Sequence, residues 1–202
     1  MIKTIVFDLG GVLIDWNPRY LYRKIFDDER AMEHFLTEVA NMDWNVQQDA
    51  GRTWAEGTRQ LSAQFPEHTA AIRAYADRWV EMLGGPIEGT VDILRDLKDG
   101  GQYPLYALTN WSAETFPYAQ ERYGFLQTFE GILVSGEEGM IKPARKIYEL
   151  LLDRFNIEAA TSVFIDDSLK NVKGAEAVGM QAIHFQSPTQ LRADLRQLGV
   201  AC

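Results

Sequence analysis

Cysteine is nearly absent: 202 residues contain one, Cys202, at the end of the chain. Internal disulfides are therefore excluded, and a reducing compartment is the expectation. Basic charge is also short, with 20 Lys and Arg against 29 Asp and Glu and a formal net charge of -9. That balance lacks the basic footprint of non-specific nucleic-acid binding, so no nucleic-acid partner is expected. Long apolar runs are missing as well. None approaches the roughly 20 residues that span a bilayer, and the stretch after Lys3 is too short for a signal-peptide core. There is no internal repeat and no low-complexity tract. A soluble, cytoplasmic protein with no membrane partner is the expectation. What is present, 46% hydrophobic and 24% charged residues, suits a folded core of one domain or a core carrying an insertion.

Ile5-Val6-Phe7 is a short apolar run that stops at Asp8 and opens into Leu9-Gly10-Gly11-Val12. Such a run closed by glycine reads as a buried parallel strand, and ligands bind beyond the carboxyl ends of parallel strands. Asp8 there is a metal ligand, a nucleophile or both, and Gly10 and Gly11 allow a ligand close to the backbone. The pattern recurs. Thr109-Asn110 follows Leu105-Tyr106-Ala107-Leu108, and Asp166-Asp167 follows Ser162-Val163-Phe164-Ile165. Lys142-Pro143 stands where a loop turns into a helix, with Pro143 suited to its first turn. Clustered, Asp8, Asp166 and Asp167 would repel and raise one another's pKa, a conflict that Mg²⁺ with its oxygen ligands resolves. Thr109 and Asn110 offer hydrogen bonds to phosphate oxygens, and Lys142 a compact positive charge. A plainer account makes Asp166, Asp167 or Ser112 helix caps.

From Trp16 to Leu83 no strand is evident and apolar residues recur at helical spacing, as in Leu21 and Ile25, or Tyr75, Trp79 and Leu83. Gly84-Gly85-Pro86 punctuates the end of this block. Beyond it, helices near 89–98, 113–123, 145–155, 169–178 and 189–198 alternate with strands ending at Thr109, Val134, Asp166 and Phe185. The expected fold is α/β: a three-layer, Rossmann-like parallel sheet core over 1–15 and 86–202, with an inserted helical segment over 16–85.

Phe7-Asp8-Leu9-Gly10-Gly11-Val12, Leu108-Thr109-Asn110, Ile141-Lys142-Pro143 and Ile165-Asp166-Asp167-Ser168 resemble, in order, the four motifs of the haloacid dehalogenase-like hydrolases. The helical segment resembles the cap that one subfamily places directly after motif one. The resemblance implies a Mg²⁺-dependent phosphatase acting on a small phosphorylated metabolite, with Asp8 forming an aspartyl-phosphate. It implies Mg²⁺ ligands Asp8, the Gly10 carbonyl and Asp167, with Asp166 binding directly or through water. Thr109, Asn110 and Lys142 would hold phosphate beside Gly11, with Trp16, Arg19 and Trp111 at the pocket mouth. A monomer or weak homodimer is expected.

One position departs from the pattern. Phosphatases of the family usually carry a second Asp two places after the nucleophile, to protonate the leaving alcohol, and here that place is Gly10. General acid assistance contributes about 10²–10⁴ in rate. Its loss favours leaving groups that depart easily, such as a sugar 1-phosphate, an acyl phosphate or an aryl phosphate, unless Asp15 or a water held by the cap substitutes. First motifs of the form Asp-Leu-Gly-(Gly/Asn)-Val resemble a branch of sugar-phosphate phosphatases. The rivals are a 2-haloacid dehalogenase, which needs neither metal nor paired acids, a phospho-receiver module, whose acids come in the reverse order, and a non-catalytic binding protein. Within the insertion, Trp44, Asn45, Gln47 and Gln48 form either a sugar-binding surface or an ordinary amphipathic helix. His184 reads as structural.

Overall fold

The computed structural model describes residues 1–201; Cys202 lies outside the described residues. Five parallel strands form the central sheet: β1 (Thr4–Phe7), β4 (Leu105–Thr109), β5 (Gly131–Val134), β6 (Ser162–Asp166) and β7 (Gln181–His184), in the order β5-β4-β1-β6-β7. The three inner strands are almost wholly buried and mostly apolar because both faces are covered, as in parallel sheets generally. Alternate residues feed two separate layers. Val6, Leu108 and Phe164 pack with Ile147, Tyr148 and Leu151 on one face, while Ile5, Phe7, Ala107, Val163 and Ile165 join the larger apolar cluster on the other.

Helices α6 (Glu88–Gly100), α7 (Phe116–Arg122), α8 (Ser135–Glu138), α9 (Arg145–Arg154), α10 (Leu169–Glu176) and α11 (Pro188–Gln197) connect or flank these strands. Between β2 (Ile14–Trp16) and β3 (Leu83–Pro86) lie α1 (Arg19–Tyr22), α2 (Glu29–His34), α3 (Met42–Asp49), α4 (Trp54–Gln64) and α5 (Thr69–Asp77). The capping chemistry is local: the Asp28 carboxylate accepts from the Arg30 and Ala31 N–H groups, and the Asn41 and Thr53 side chains accept from Trp44 and Glu56. Tyr22, Phe35, Trp44, Trp54 and Tyr75 fill the interior of this segment. No helix among the described residues is long and apolar enough to cross a membrane.

Two details differ from the sequence reading. Gly84-Gly85-Pro86 is not simple punctuation: it belongs to β3, which pairs antiparallel with β2, Ile14 opposite Pro86 and Asp15 opposite Gly85. The boundaries drawn at 15/16 and 85/86 thus fall inside a two-stranded ribbon, through which the chain leaves and re-enters the core. Pro143 lies outside the helix, following a cis Lys142–Pro143 bond, and α9 begins at Arg145.

Candidate active site

Register brings the strand ends together. Phe7 aligns with Ala107 of β4 and with Ile165 of β6, so Asp8 emerges level with Leu108 and Asp166. The Asp8 N–H bonds the Ile165 carbonyl at 2.8 Å, which continues the ladder into the site. Carboxylate oxygens of Asp8, Asp166 and Asp167 all lie within 4.8 Å of one another. Asp8 and Asp166 are buried and Asp167 is exposed.

The Lys142 ammonium sits wholly inside this group. It is 2.9 Å from Asp8 Oδ2 and 2.7 Å from Asp166 Oδ2, and it donates to the Leu108 carbonyl at 3.0 Å. Burial alone would lower its pKa, but the two carboxylates outweigh that and hold it above the ordinary lysine value. Its main chain is pinned by Asn110, whose amide donates to the Lys142 carbonyl at 3.1 Å and accepts from the Lys142 N–H at 2.8 Å. Asn110 therefore spends its side chain on holding the lysine loop. Asp166 is equally committed: its oxygens also accept from the Ser168 N–H at 2.8 Å and the Asn171 amide at 3.0 and 3.1 Å.

Asp8 keeps one oxygen on the Leu9 N–H at 2.7 Å. Desolvation pushes its pKa well above the usual carboxylate range; Lys142 opposes that, and Asp166 and Asp167 reinforce it. Asp167, exposed as a residue but with a carboxylate partly desolvated among its neighbours, is raised by that desolvation first and by Asp166 second. Three carboxylates facing one ammonium leave two negative charges uncompensated. That donor set, all hard oxygen, matches a divalent cation such as Mg²⁺. Gly11 completes the fit: at φ +73° a Cβ there would lie 2.4 Å from Asp167 Oδ2, so only glycine leaves the carboxylate its place. Thr109 Oγ1 is fully buried at the end of β4, with no hydrogen-bond partner among the described residues.

A cavity of about 330 Å³ opens above the strand ends. Asp8, Gly10, Gly11, Asn110, Trp111 and Asp167 contribute to its wall, while Thr109, Lys142 and Asp166 lie buried behind it. Trp16 also lines the cavity, but Arg19 does not, because it pairs with Glu33 at 2.5 Å. Trp111 packs tilted against Trp79, ring centroids 5.3 Å apart, and Trp79, read from the sequence only as part of a helical apolar stripe, also lines the wall. The Trp44 cluster divides. Trp44 and Gln48 are buried in packing, Gln48 donating to the Trp44 carbonyl at 2.9 Å, whereas Asn45 faces the cavity. Asp15 is engaged by the Tyr20 hydroxyl at 2.6 Å and is not part of the wall. His184 touches the Asp167 carbonyl at 2.9 Å.

Three further residues complete the site without having been foreseen. Asn171 braces Asp166 from α10, five positions beyond it. Ser135 stands directly after β5, and its hydroxyl donates to the Asp49 carbonyl at 2.6 Å and accepts from the Trp111 N–H at 2.9 Å. Asp49, the last residue of α3, brings a third carboxyl group to the cavity wall beside those of Asp8 and Asp167. Burial pushes it up to about 7, against the Ser112 N–H and Lys142, which act in the other direction. Ser135 carried the same strand-end signal as Asp8. Asp49 carried none beyond its place before Gly51, a turn glycine at φ +96° packed against Gly136.

A family profile described as haloacid dehalogenase-like hydrolase matches residues 2–179. The chain is 33% identical to the sesquiterpene phosphatase astK of Aspergillus oryzae over 99% of its length and 97% of the relative's. It is 31% identical to the Escherichia coli 5-amino-6-(5-phospho-D-ribitylamino)uracil phosphatase YigB, covering 90% of this chain and 82% of that one. Among solved structures, a HAD family enzyme of Bacteroides thetaiotaomicron in complex with magnesium and inorganic phosphate superposes with a TM-score of 0.71 at 24% identity, covering 93% of this chain and 96% of that one, a likeness of fold.

Proposed function

The chain belongs to the haloacid dehalogenase-like hydrolases, and on that premise we propose that it is a Mg²⁺-dependent phosphatase hydrolysing a small phosphorylated metabolite through an aspartyl-phosphate on Asp8. The observation that carries this reading is the convergence of the Asp8, Asp166 and Asp167 carboxylates, all within 4.8 Å, around a fully buried Lys142. Asp8, Asp167 and the Gly10 carbonyl would hold the cation directly. Asp166, its oxygens already bonded to Lys142, Ser168 and Asn171, would reach it through water. When bound, Mg²⁺ supplies the positive charge that offsets the acid cluster and the phosphate dianion.

The chain's own residues do the rest. Asp8 keeps one oxygen on Leu9 and presents the other beside the Lys142 ammonium, which opposes the upward pull of burial on its pKa. Phosphorus accepts that oxygen while the ester bond breaks, and Lys142 offsets charge on the transferring group. Water then attacks the phosphorus and releases Asp8. The segment 16–85 acts as a cap over the core of 1–15 and 86–202, covering the reaction with Trp16, Met42, Asn45 and Asp49. The cavity sets the aromatic side chains of Trp16, Trp79 and Trp111 against the acids and amides of Asp8, Asn45, Asp49, Asn110 and Asp167, which suits a compact substrate with one apolar face, a sugar phosphate included.

A panel of phosphate esters and haloacids, assayed with and without Mg²⁺, tests the reading. Phosphate release that requires Mg²⁺ and Asp8 is the expected result. Halide release from a haloacid without metal would replace it with dehalogenation, and silence across the panel would leave a binding protein.

A further inference from the structure

An acid is missing where the leaving group needs one. Position 10 is glycine, and a Cβ built there meets nothing within 4 Å, so the space beside Asp8 is open. The carboxyls on the cavity wall are those of Asp8, Asp49 and Asp167. Asp8 attacks phosphorus and Asp167 faces the cation in the phosphatase reading, on which this inference rests. Asp15 is tied to Tyr20 away from the wall. We infer that Asp49, delivered from the helical segment rather than from motif one, is the catalytic residue that protonates the departing alcohol.

Its setting fits that task. The main chain of Asp49 is fixed to the core by the Ser135 hydroxyl, and the Asn45 amide lies 3.4 Å from Oδ2. The Asn45 side-chain oxygen Oδ1 is buried without a partner among the described residues, in line with a donor on the substrate. Burial raises the carboxyl to about 7, which lets it give and retake a proton near neutrality. The titratable groups that interact with it are Lys142 and the Tyr75 hydroxyl, the latter raised by its own burial first and by Asp49 second.

The proton balance closes. As an Asp8 oxygen bonds to phosphorus, the ester P–O bond breaks and its electron pair stays on the alcohol oxygen. That oxygen takes the Asp49 proton and leaves as neutral alcohol. In the second half, water bonds to phosphorus and gives a proton to the Asp49 carboxylate. The P–O bond to Asp8 breaks, its electron pair returns to Asp8, and inorganic phosphate departs.

The test compares p-nitrophenyl phosphate, whose phenolate leaves unprotonated, with benzyl phosphate, whose alkoxide does not, in the Mg²⁺-loaded full chain. Asp49→Asn should lower kcat/KM by about 10²–10⁴ on benzyl phosphate and by less than about tenfold on p-nitrophenyl phosphate. Adding Gly10→Asp to that variant should recover at least tenfold of the benzyl activity, a rescue that a merely structural Asp49 would not permit. Equal losses on both esters, or none on either, would overturn the assignment of Asp49. A parent enzyme that cleaves only the nitrophenyl ester lacks an effective acid, and also overturns it. A parent that releases phosphate from neither ester overturns the phosphatase reading itself.

Discussion

The floor of the cavity and its roof are built on opposite principles. On the floor, Lys142, Asp166, Asn110 and Asn171 lock one another at 2.7–3.1 Å, and Asp8 is bonded through both oxygens. Above it, Trp16, Met42, Val46 and Trp79 offer apolar surface, and the Asn45 side-chain Oδ1 and Trp16 indole N–H have no partner among the described residues. A network that ties its charged groups together fixes charge in one geometry, as displacement of charge demands. A largely apolar wall can be remodelled for a different substrate without disturbing that geometry. On the proposed function, the strand ends would set the reaction type and the helical segment the choice of substrate.

The sharpest way to break this division is Asp8→Asn. It should lower turnover by about 10⁴ or more while thermal unfolding stays near that of the parent, since an amide is easier to bury than a carboxylate. Near-parental activity would remove the floor from the chemistry. Next, Lys142→Met strands the buried Asp8 and Asp166 together. Breaking a buried pair this way costs about 3–5 kcal/mol, readable in urea unfolding, and a loss under about 1 kcal/mol would mean that the floor is not a closed network. Mg²⁺ should raise stability by about 2.7 kcal/mol at a hundredfold excess over its Kd, and Asp167→Asn, an exposed change, should erase most of that gain.

Smaller effects probe the roof. Between about pH 4 and 7 the folded protein keeps the Asp49 proton that the unfolded chain has released, so stability falls as pH rises, by up to about 1.4 kcal/mol per unit. Asp49→Asn should flatten that part of the profile, whereas superimposable profiles would place the Asp49 carboxyl in ordinary solvent. Finally, Trp16→Ala should raise KM more than it lowers kcat, by about tenfold. Trp16 is the cleaner choice for this measurement because Trp111 is buried against Trp79 and Phe116 and its loss would also cost stability.

The same contrast explains what could be read from the amino-acid sequence. Asp8, Thr109, Asp166 and Asp167 were legible because an apolar run ending in a polar residue locates a strand's carboxyl end, and parallel strands collect those ends on one side. The sheet and its helices followed from alternation alone. The β2–β3 ribbon was not legible, since Leu83-Gly84-Gly85-Pro86 has the composition of a turn and is extended only because Ile14–Trp16 lies against it. The bond from Asn110 to the Lys142 main chain was not legible either, because pairing with a main chain 32 residues away leaves no local trace. Asp49 was illegible for a related reason: one acid at a helix end looks like any other until the chain folds it over Asp8.

The place of Ser135 in the sheet carries a mechanical consequence. Asp8, Thr109 and Asp166 finish strands that have a neighbour on either side, whereas Ser135 follows β5, which has one. Any excursion of α3 would tug, through that hydroxyl, on the outermost and least braced ribbon of backbone. Strain from such a shift would fall first on the edge of the sheet and last on the inner strands that end at Asp8 and Asp166.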